Sequence, residues 1–164
     1  MDALIATAMA YVRGEAPPDR SEAFDLAELA ADCATGFSET GASVSFSGDA
    51  ALPVVADPAA LRRALANLIA NAVKFGGGAR VHAAAVDGTA VVTVDDDGPG
   101  LDESELETVF EPFYRGERSR SRETGGAGLG LSVARQAARA HCGDVVLATR
   151  AGGGLTARLT LPLA

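Results

Sequence analysis

The chain has 164 residues, 48% of them hydrophobic and 22% charged, which suits one compact domain burying roughly 70% of its unfolded surface and excludes a disordered or fibrous class. Fourteen Lys and Arg against 22 Asp and Glu leave a formal charge of -8, arguing against nucleic acid or an anionic membrane as the main partner. No apolar run approaches the ~20 residues of a membrane span, and the opening MDALIATAMAYVRGE lacks the basic start and cleavage site of a signal peptide.

In chain order, Leu4, Ile5, Ala8, Met9 and Val12 stand at helical spacing and predict a helix over 1–15. Gly14 and the prolines of APPDR end it and open a linker over 16–23. The main domain is expected over 24–164, beginning with FDLAELAADCATGF. There the helical period runs through Phe24, Leu26, Leu29, Ala30 and Cys33, and Gly36 is the expected stop. SVSFS alternates at period two, LPVVAD is a short apolar run, and Asp57-Pro58 offers an N-cap followed by proline in a first helical turn. A long helix is expected from there to about Phe75, with Leu61, Leu65, Leu68, Ile69 and Ala72 as its buried stripe and Gly76 to Gly78 as its end.

ARVHAAAV and AVVTVDD around Asp87-Gly88 predict a β-hairpin. SELETVF predicts a short helix, and EPFYRGERSRSRETGG, too polar and arginine-rich for core, a mobile loop. The glycine run of GGAGLGLSVARQ opens a last helix over 128–142, and DVVLATRAGGGLTARLTLP closes the chain as a second hairpin. The sum is a two-layer α+β sandwich with helices on one face of a mixed sheet. Cys33 and Cys142 are too few and isolated for a disulfide framework or metal cage and read as reduced, small apolar residues.

Candidate chemistry concentrates in four places. In NLIANAVKF, Asn67 and Asn71 lie one helical turn apart, with Lys74 three further on. Such a set is often a solvated face, but Asn is a mediocre helix former. Amide oxygens suit a magnesium ion that also holds phosphate, and a lysine beside them supplies positive charge. In VDDDGPG three acids crowd a strand end, which is usually a solvated turn. An aspartate fixed there can also accept from an exocyclic amine while glycine backbone lets a ring approach, and Asp96 holds the first position of D-x-G-x-G. Third, Gly126, Gly128 and Gly130 bare the amides of a helix N-terminus, where an anion is favoured. The run fits neither G-x-G-x-x-G after a strand nor G-x-x-x-x-G-K-S/T. Fourth, the loop from Phe110 to Gly125 carries Arg115, Arg118, Arg120 and Arg122, mostly solvated surface, of which one or two could meet phosphate.

In this order the four pieces resemble the ATP-binding catalytic domain of bacterial sensor histidine kinases, within the wider group shared with gyrase, Hsp90 and mismatch-repair ATPases. NLIANAVKF is similar to its N box, DDGPG to its first glycine box, FEPFYR to its F box and GGAGLGLSVAR to its second glycine box, and the likeness covers roughly residues 24–163. The resemblance implies a Bergerat-type ATP-binding fold with an ATP lid. It implies that Asn71 and Asn67 hold Mg2+, Lys74 contacts phosphate, Phe75 lies near the adenine of ATP, and Asp96 accepts from the adenine amine. Gly98 and Gly100 would shape that pocket, while Gly126, Gly128, Leu129 and Gly130 would anchor the closing end of the lid. Arg115 would contact phosphate. Phe110 and Phe113 read as packing at the lid base.

The same resemblance implies a γ-phosphate acceptor histidine on a separate dimerisation domain and a response regulator downstream. His82 and His141 stand in no such acceptor motif; His82 reads as an ordinary strand residue and His141 as a favourable cation near a helix C-terminus. Residues 1–15 resemble the tail of the second dimerisation helix. The expectation is therefore a monomeric or weakly dimeric fragment, cytoplasmic, from a parent at the inner membrane, that binds Mg-ATP but does not autophosphorylate. No catalytic residue is assigned, and Glu111 is only a weak candidate. Rival readings are a noncatalytic nucleotide- or partner-binding module, an anti-sigma-type serine kinase, and a chaperone-like ATPase. The last lacks a glutamate in AALRRALA at 59–66.

Overall fold

The computed structural model describes residues 20–48, 50–112, 114 and 129–164. Along them run β1 (Glu22–Asp25), α1 (Leu26–Glu39), β2 (Val44–Ser47), β3 (Pro53–Ala56), α2 (Pro58–Gly76), β4 (Ala79–Val86), β5 (Thr89–Asp95), α3 (Glu105–Thr108), α4 (Gly130–Arg139), β6 (Asp144–Thr149) and β7 (Leu155–Pro162). The predicted helix over 1–15, the linker as far as 19, Phe113, Arg115, Arg118, Arg120, Arg122 and the glycines 125, 126 and 128 lie outside the described residues.

Strand parity decides which face is buried. Ala79, Val81 and Ala83 of β4, Ala90, Val92 and Val94 of β5, Leu159 and Leu161 of β7 and Val145 of β6 share one core with Leu26, Leu61, Leu65, Leu68, Ile69, Ala134 and Ala138 of the helices. Helices α1, α2 and α4 therefore cover one face of a sheet ordered β2-β4-β5-β7-β6. β2 runs parallel to β4 and the other pairs are antiparallel. This is the expected two-layer α+β sandwich on a mixed sheet. The hairpin turn falls on Asp87 and Gly88, both at positive φ (48° and 77°), the geometry of a type I′ connection.

α2 follows its sequence signals closely. Asp57 accepts from the amides of Ala59 and Ala60 at 3.0 and 3.3 Å, Pro58 occupies the first turn, and Gly77 caps the C-terminus at φ 75°.

Elsewhere the structure corrects the sequence reading. Phe24 belongs to β1, antiparallel to β3 in a separate two-stranded sheet, because Asp25 starts α1 by accepting from Ala27 and Glu28 amides. Gly36 does not stop α1, which continues to Glu39 and ends at Thr40 and Gly41 (φ 94°); the continued helix brings Phe37 against the core. α4 begins at Gly130 and ends at Arg139, short of 142. Its end is a Schellman turn, with Cys142 N–H donating to Arg139 O (3.3 Å) and Gly143 N–H to Ala138 O (2.9 Å). Cys142 is thus exposed and left-handed at φ 63°, not a packed apolar residue. Cys33 is buried, and burial pushes its thiol pKa up.

His141 is likewise not a cation. Its Nε2 accepts from the Asp57 N–H at 3.2 Å, and its Nδ1 lies 2.9 Å from Ala137 O. An N–H can only donate, so Nε2 must be bare and Nδ1 must carry the proton. The neutral ring ties the end of α4 to the N-cap of α2.

Candidate functional site

The site lies where the C-terminal half of α2, the end of β5 and the start of α4 meet. The three aspartates at 95–97 separate by parity. Asp96 continues the inward series Ala90, Val92, Val94 and is 5% exposed. Its N–H donates to Leu155 O at 3.0 Å, and its Oδ1 accepts from Gly98 N–H at 2.9 Å and Leu155 N–H at 3.4 Å. Both donors fall on Oδ1, so among the described residues Oδ2 remains available to a ligand N–H. Asp95 and Asp97 point to the outer face. Asp95 accepts from the Thr156 hydroxyl, while Asp97 takes a bidentate pair from Arg80 at 2.7 and 3.0 Å and a bond from Arg150 at 2.9 Å. Those guanidinium hydrogen bonds hold the Asp97 carboxyl pKa at about 2.

Glycines make room around Asp96. A Cβ on Gly76 would sit 2.5 Å from Asp96 Cβ; on Gly98, 2.7 Å from Phe75 O; on Gly154, 2.0 Å from Asp96 O. The chain therefore brings α2, the D-x-G-x-G turn and the β6–β7 hairpin to backbone contact at one carboxylate. Gly100 (φ 74°) abuts Gly154, whose oxygen would be 3.3 Å from an added Cβ.

On α2, Asn67 and Asn71 are half-buried and Lys74 is exposed, with Lys74 Nζ 5.3 Å from the centre of the Phe75 ring. Asn67 Nδ2 donates to Gly130 O at 3.2 Å, joining α2 to the first residue of α4. With Nδ2 committed, the amide's hard oxygen is the atom left for a cation, and Asn71 lies one turn along the same face, so the donor set fits magnesium. A Cβ on Gly130 would meet Asn67 only at 3.8 Å, so Gly130 is not demanded by packing there. Leu129 is 4% exposed and precedes the bare amides of the helix start.

The base of the intervening loop is pinned by a residue that the sequence reading passed over. Arg135 of α4, itself buried, stacks 3.7 Å from the centre of the Phe110 ring. It pairs with Glu107 at 2.8 Å and Asp144 at 3.1 Å and donates to Val145 O at 3.0 Å. Phe110 is 6% exposed and in the core, as its packing role predicts; Glu111 is exposed. Gly76, Gly154, Arg80 and Arg150 also belong to the site outside the four motifs: the glycines read in sequence as a helix stop and a GGG turn, and nothing local marks the arginines. His82 lies exposed on β4 with Ser47 Oγ 2.8 Å from Nδ1.

Comparison with known proteins bears on the family and the fold. The model of the histidine kinase-, DNA gyrase B- and HSP90-like ATPases matches residues 56–164. The sensor histidine kinase GtrS of Pseudomonas aeruginosa is 38% identical over 162 residues, 99% of this chain and 33% of that protein. CpxA of Escherichia coli K12 is 40% identical over 112 residues, 68% of this chain and 24% of that one. The chain thus spans a third or less of the length of these relatives. Among solved structures, the ATP-binding domain of PrrB from Mycobacterium tuberculosis superposes with a TM-score of 0.73 at 30% identity, over 89% of this chain and 99% of that one. Full-length ShkA in complex with AMPPNP gives 0.76 at 28% identity, over 91% and 32%. The chain belongs to the family of histidine kinase-, DNA gyrase B- and HSP90-like ATPases and, within it, is similar to the ATP-binding domains of sensor histidine kinases.

Proposed function

We propose that this domain binds Mg-ATP between α2, Asp96 and the start of α4, and supplies the γ-phosphate to a histidine on a separate dimerisation domain in two-component signalling. The observation that carries the reading is Asp96, the buried one of three adjacent carboxylates, walled by Gly76 and Gly98 and open at Oδ2. A flat ring bearing an exocyclic amine suits that wall and that acceptor.

Asn67 and Asn71 would hold the magnesium ion, which when bound screens triphosphate charge. Lys74 adds a positive charge from the same helix face, and the N-terminus of α4 presents unpaired amides to the phosphates. Phosphoryl transfer asks mainly for positioning and charge neutralisation, which these groups supply without a covalent role. Arg115 and the glycines at 126 and 128 are assigned to phosphate contact and lid anchoring on the family likeness alone, and residues 1–15 to the dimerisation helix on the same ground. His82 and His141 are engaged with Ser47 and with Asp57 and Ala137. The incoming nucleophile is therefore assigned to a second domain, with a response regulator as the later acceptor.

Calorimetric titration with a nonhydrolysable ATP analogue and magnesium tests the reading. Binding in the micromolar to submillimolar range, roughly 4 to 8 kcal/mol, is expected, weakened at least about tenfold in Asp96→Asn, which turns an acceptor into a donor facing the amine. Partner binding without any nucleotide heat would favour the noncatalytic module instead.

A further inference from the structure

Arg150 belongs to none of the four motifs, yet it grips the backbone that carries Asp96. Its Nη1 donates to Asp96 O at 2.9 Å and to Asp97 Oδ1 at 2.9 Å. Its own backbone closes the β6–β7 turn, with Arg150 N–H donating to Gly154 O and Gly153 N–H to Arg150 O, each at 3.1 Å. The arginine is two-thirds or more covered, with a side chain 27% exposed, and Asp97 is held from its other side by Arg80. We propose that Arg150 is a positioning residue for Asp96, fixing the peptide plane that aims its carboxylate and so setting selectivity for the 6-amino group of adenine. The proposal rests on the reading of Asp96 given above.

The geometry supports this in three ways. First, Asp96 lies just beyond β5, where among the described residues a single further backbone ladder bond, from its N–H to Leu155 O, continues the strand, and Gly98-Pro99-Gly100 follows, so no regular element beyond it sets the 96–97 peptide plane. Second, Arg150 reaches Asp96 O from the outer face, opposite the inward carboxylate, so the bond restrains rotation of the 96–97 peptide without occupying the pocket. Third, Asp97 stays ionised at any ordinary pH, so the guanidinium is anchored to a permanent negative charge, and charge-assisted hydrogen bonds are the stronger kind. An exposed ion pair alone would matter little; the bond to the Asp96 carbonyl gives this one a consequence for binding.

The test compares ATP with purine riboside triphosphate, which lacks the 6-amino group, by titration with magnesium into the intact chain. The unmodified chain should prefer ATP by about tenfold, the worth of one hydrogen bond to a charged group. Arg150→Met should bring ATP affinity to within about threefold of the analogue while the analogue's own affinity holds. Arg150→Lys, which keeps a charged donor, should recover part of the preference. Asp97→Asn, at a position whose side chain is 67% exposed, should fall between the unmodified chain and Arg150→Met. Equal weakening of both nucleotides, or an unchanged preference in Arg150→Met and Asp97→Asn, would show a merely structural arginine and overturn the proposal. A different result marks failure of the underlying reading: no preference for ATP in the unmodified chain, or a preference untouched by Asp96→Asn, overturns the role of Asp96 and the proposal with it.

Discussion

Three adjacent aspartates at the end of β5 have three environments because successive side chains leave opposite faces of a strand. With Ala90, Val92 and Val94 buried, the parity of β5 places Asp96 inward. In the sequence, spacing within D-x-G-x-G alone selects that residue; the structure adds the parity. The charge network on the outer face was not legible, since Arg80 and Arg150 are remote in sequence. Asp97 has a folded pKa of about 2 against an ordinary 3.8. The unfolded chain therefore takes up its proton first, and the contribution of this group to stability is full above about pH 4 and lost between about pH 4 and 2. Urea unfolding across that range should show a slope that Asp97→Asn flattens, and the effect should be modest because the pair is solvated. Gly154 is under a harder constraint. Its φ of +94° and a Cβ position 2.0 Å from Asp96 O mean that Gly154→Ala should cost roughly 3 kcal/mol or more in denaturant titration, and should weaken nucleotide binding in whatever fraction still folds.

Among the elements, α2 was legible because its signals are local: an aspartate cap, a proline in the first turn, an apolar stripe and a left-handed glycine at the end. α1 misled for the opposite reason. Gly36 looks like a stop, but it is exposed with nothing within 4 Å of an added Cβ, and burial of Phe37 beyond it outweighs a propensity loss of ~1 kcal/mol. Gly36→Ala should therefore raise stability by about 0.5 to 1 kcal/mol, read as a higher denaturant midpoint at constant slope. At the end of α4 the conformational demand and the residue are mismatched. The left-handed position of the Schellman turn holds Cys142, while Gly143 next to it is required because its Cβ would collide with Thr160 O. Cys142→Gly should stabilise by about 0.5 kcal/mol, the left-handed strain relieved less the extra entropy of the unfolded glycine. A lower melting temperature in that variant would refute the account.

For the whole molecule, the critical joints connect elements far apart in the chain. Arg135 joins α4 to α3 and β6, and burial alone would raise the Asp144 carboxyl pKa, but hydrogen bonds from Arg139 and the Val145 N–H with the Arg135 charge hold it below its usual value. Because Glu107 and Asp144 both reach water, Arg135→Met should cost only about 1 to 2 kcal/mol, less than breaking a fully buried pair. Its signature should be local: amide exchange in 105–110 accelerating ahead of global unfolding. His141 performs a comparable service between α4 and α2, donating from Nδ1 and accepting at Nε2.

The sequence by itself determined the two-layer architecture, the choice of Asp96 within D-x-G-x-G and the four motifs that resemble those of the histidine kinase-like ATPases, because periodicity, caps and turn glycines act over a few residues. Only the tertiary structure decided that β1 pairs with β3 in a second sheet, that His141 is a neutral bridge, that Asn67 bonds Gly130, and that Gly154 and Arg150 close on Asp96 from a hairpin more than fifty positions away. Those contacts join segments whose local patterns are silent about one another, and packing of the shared core selects them.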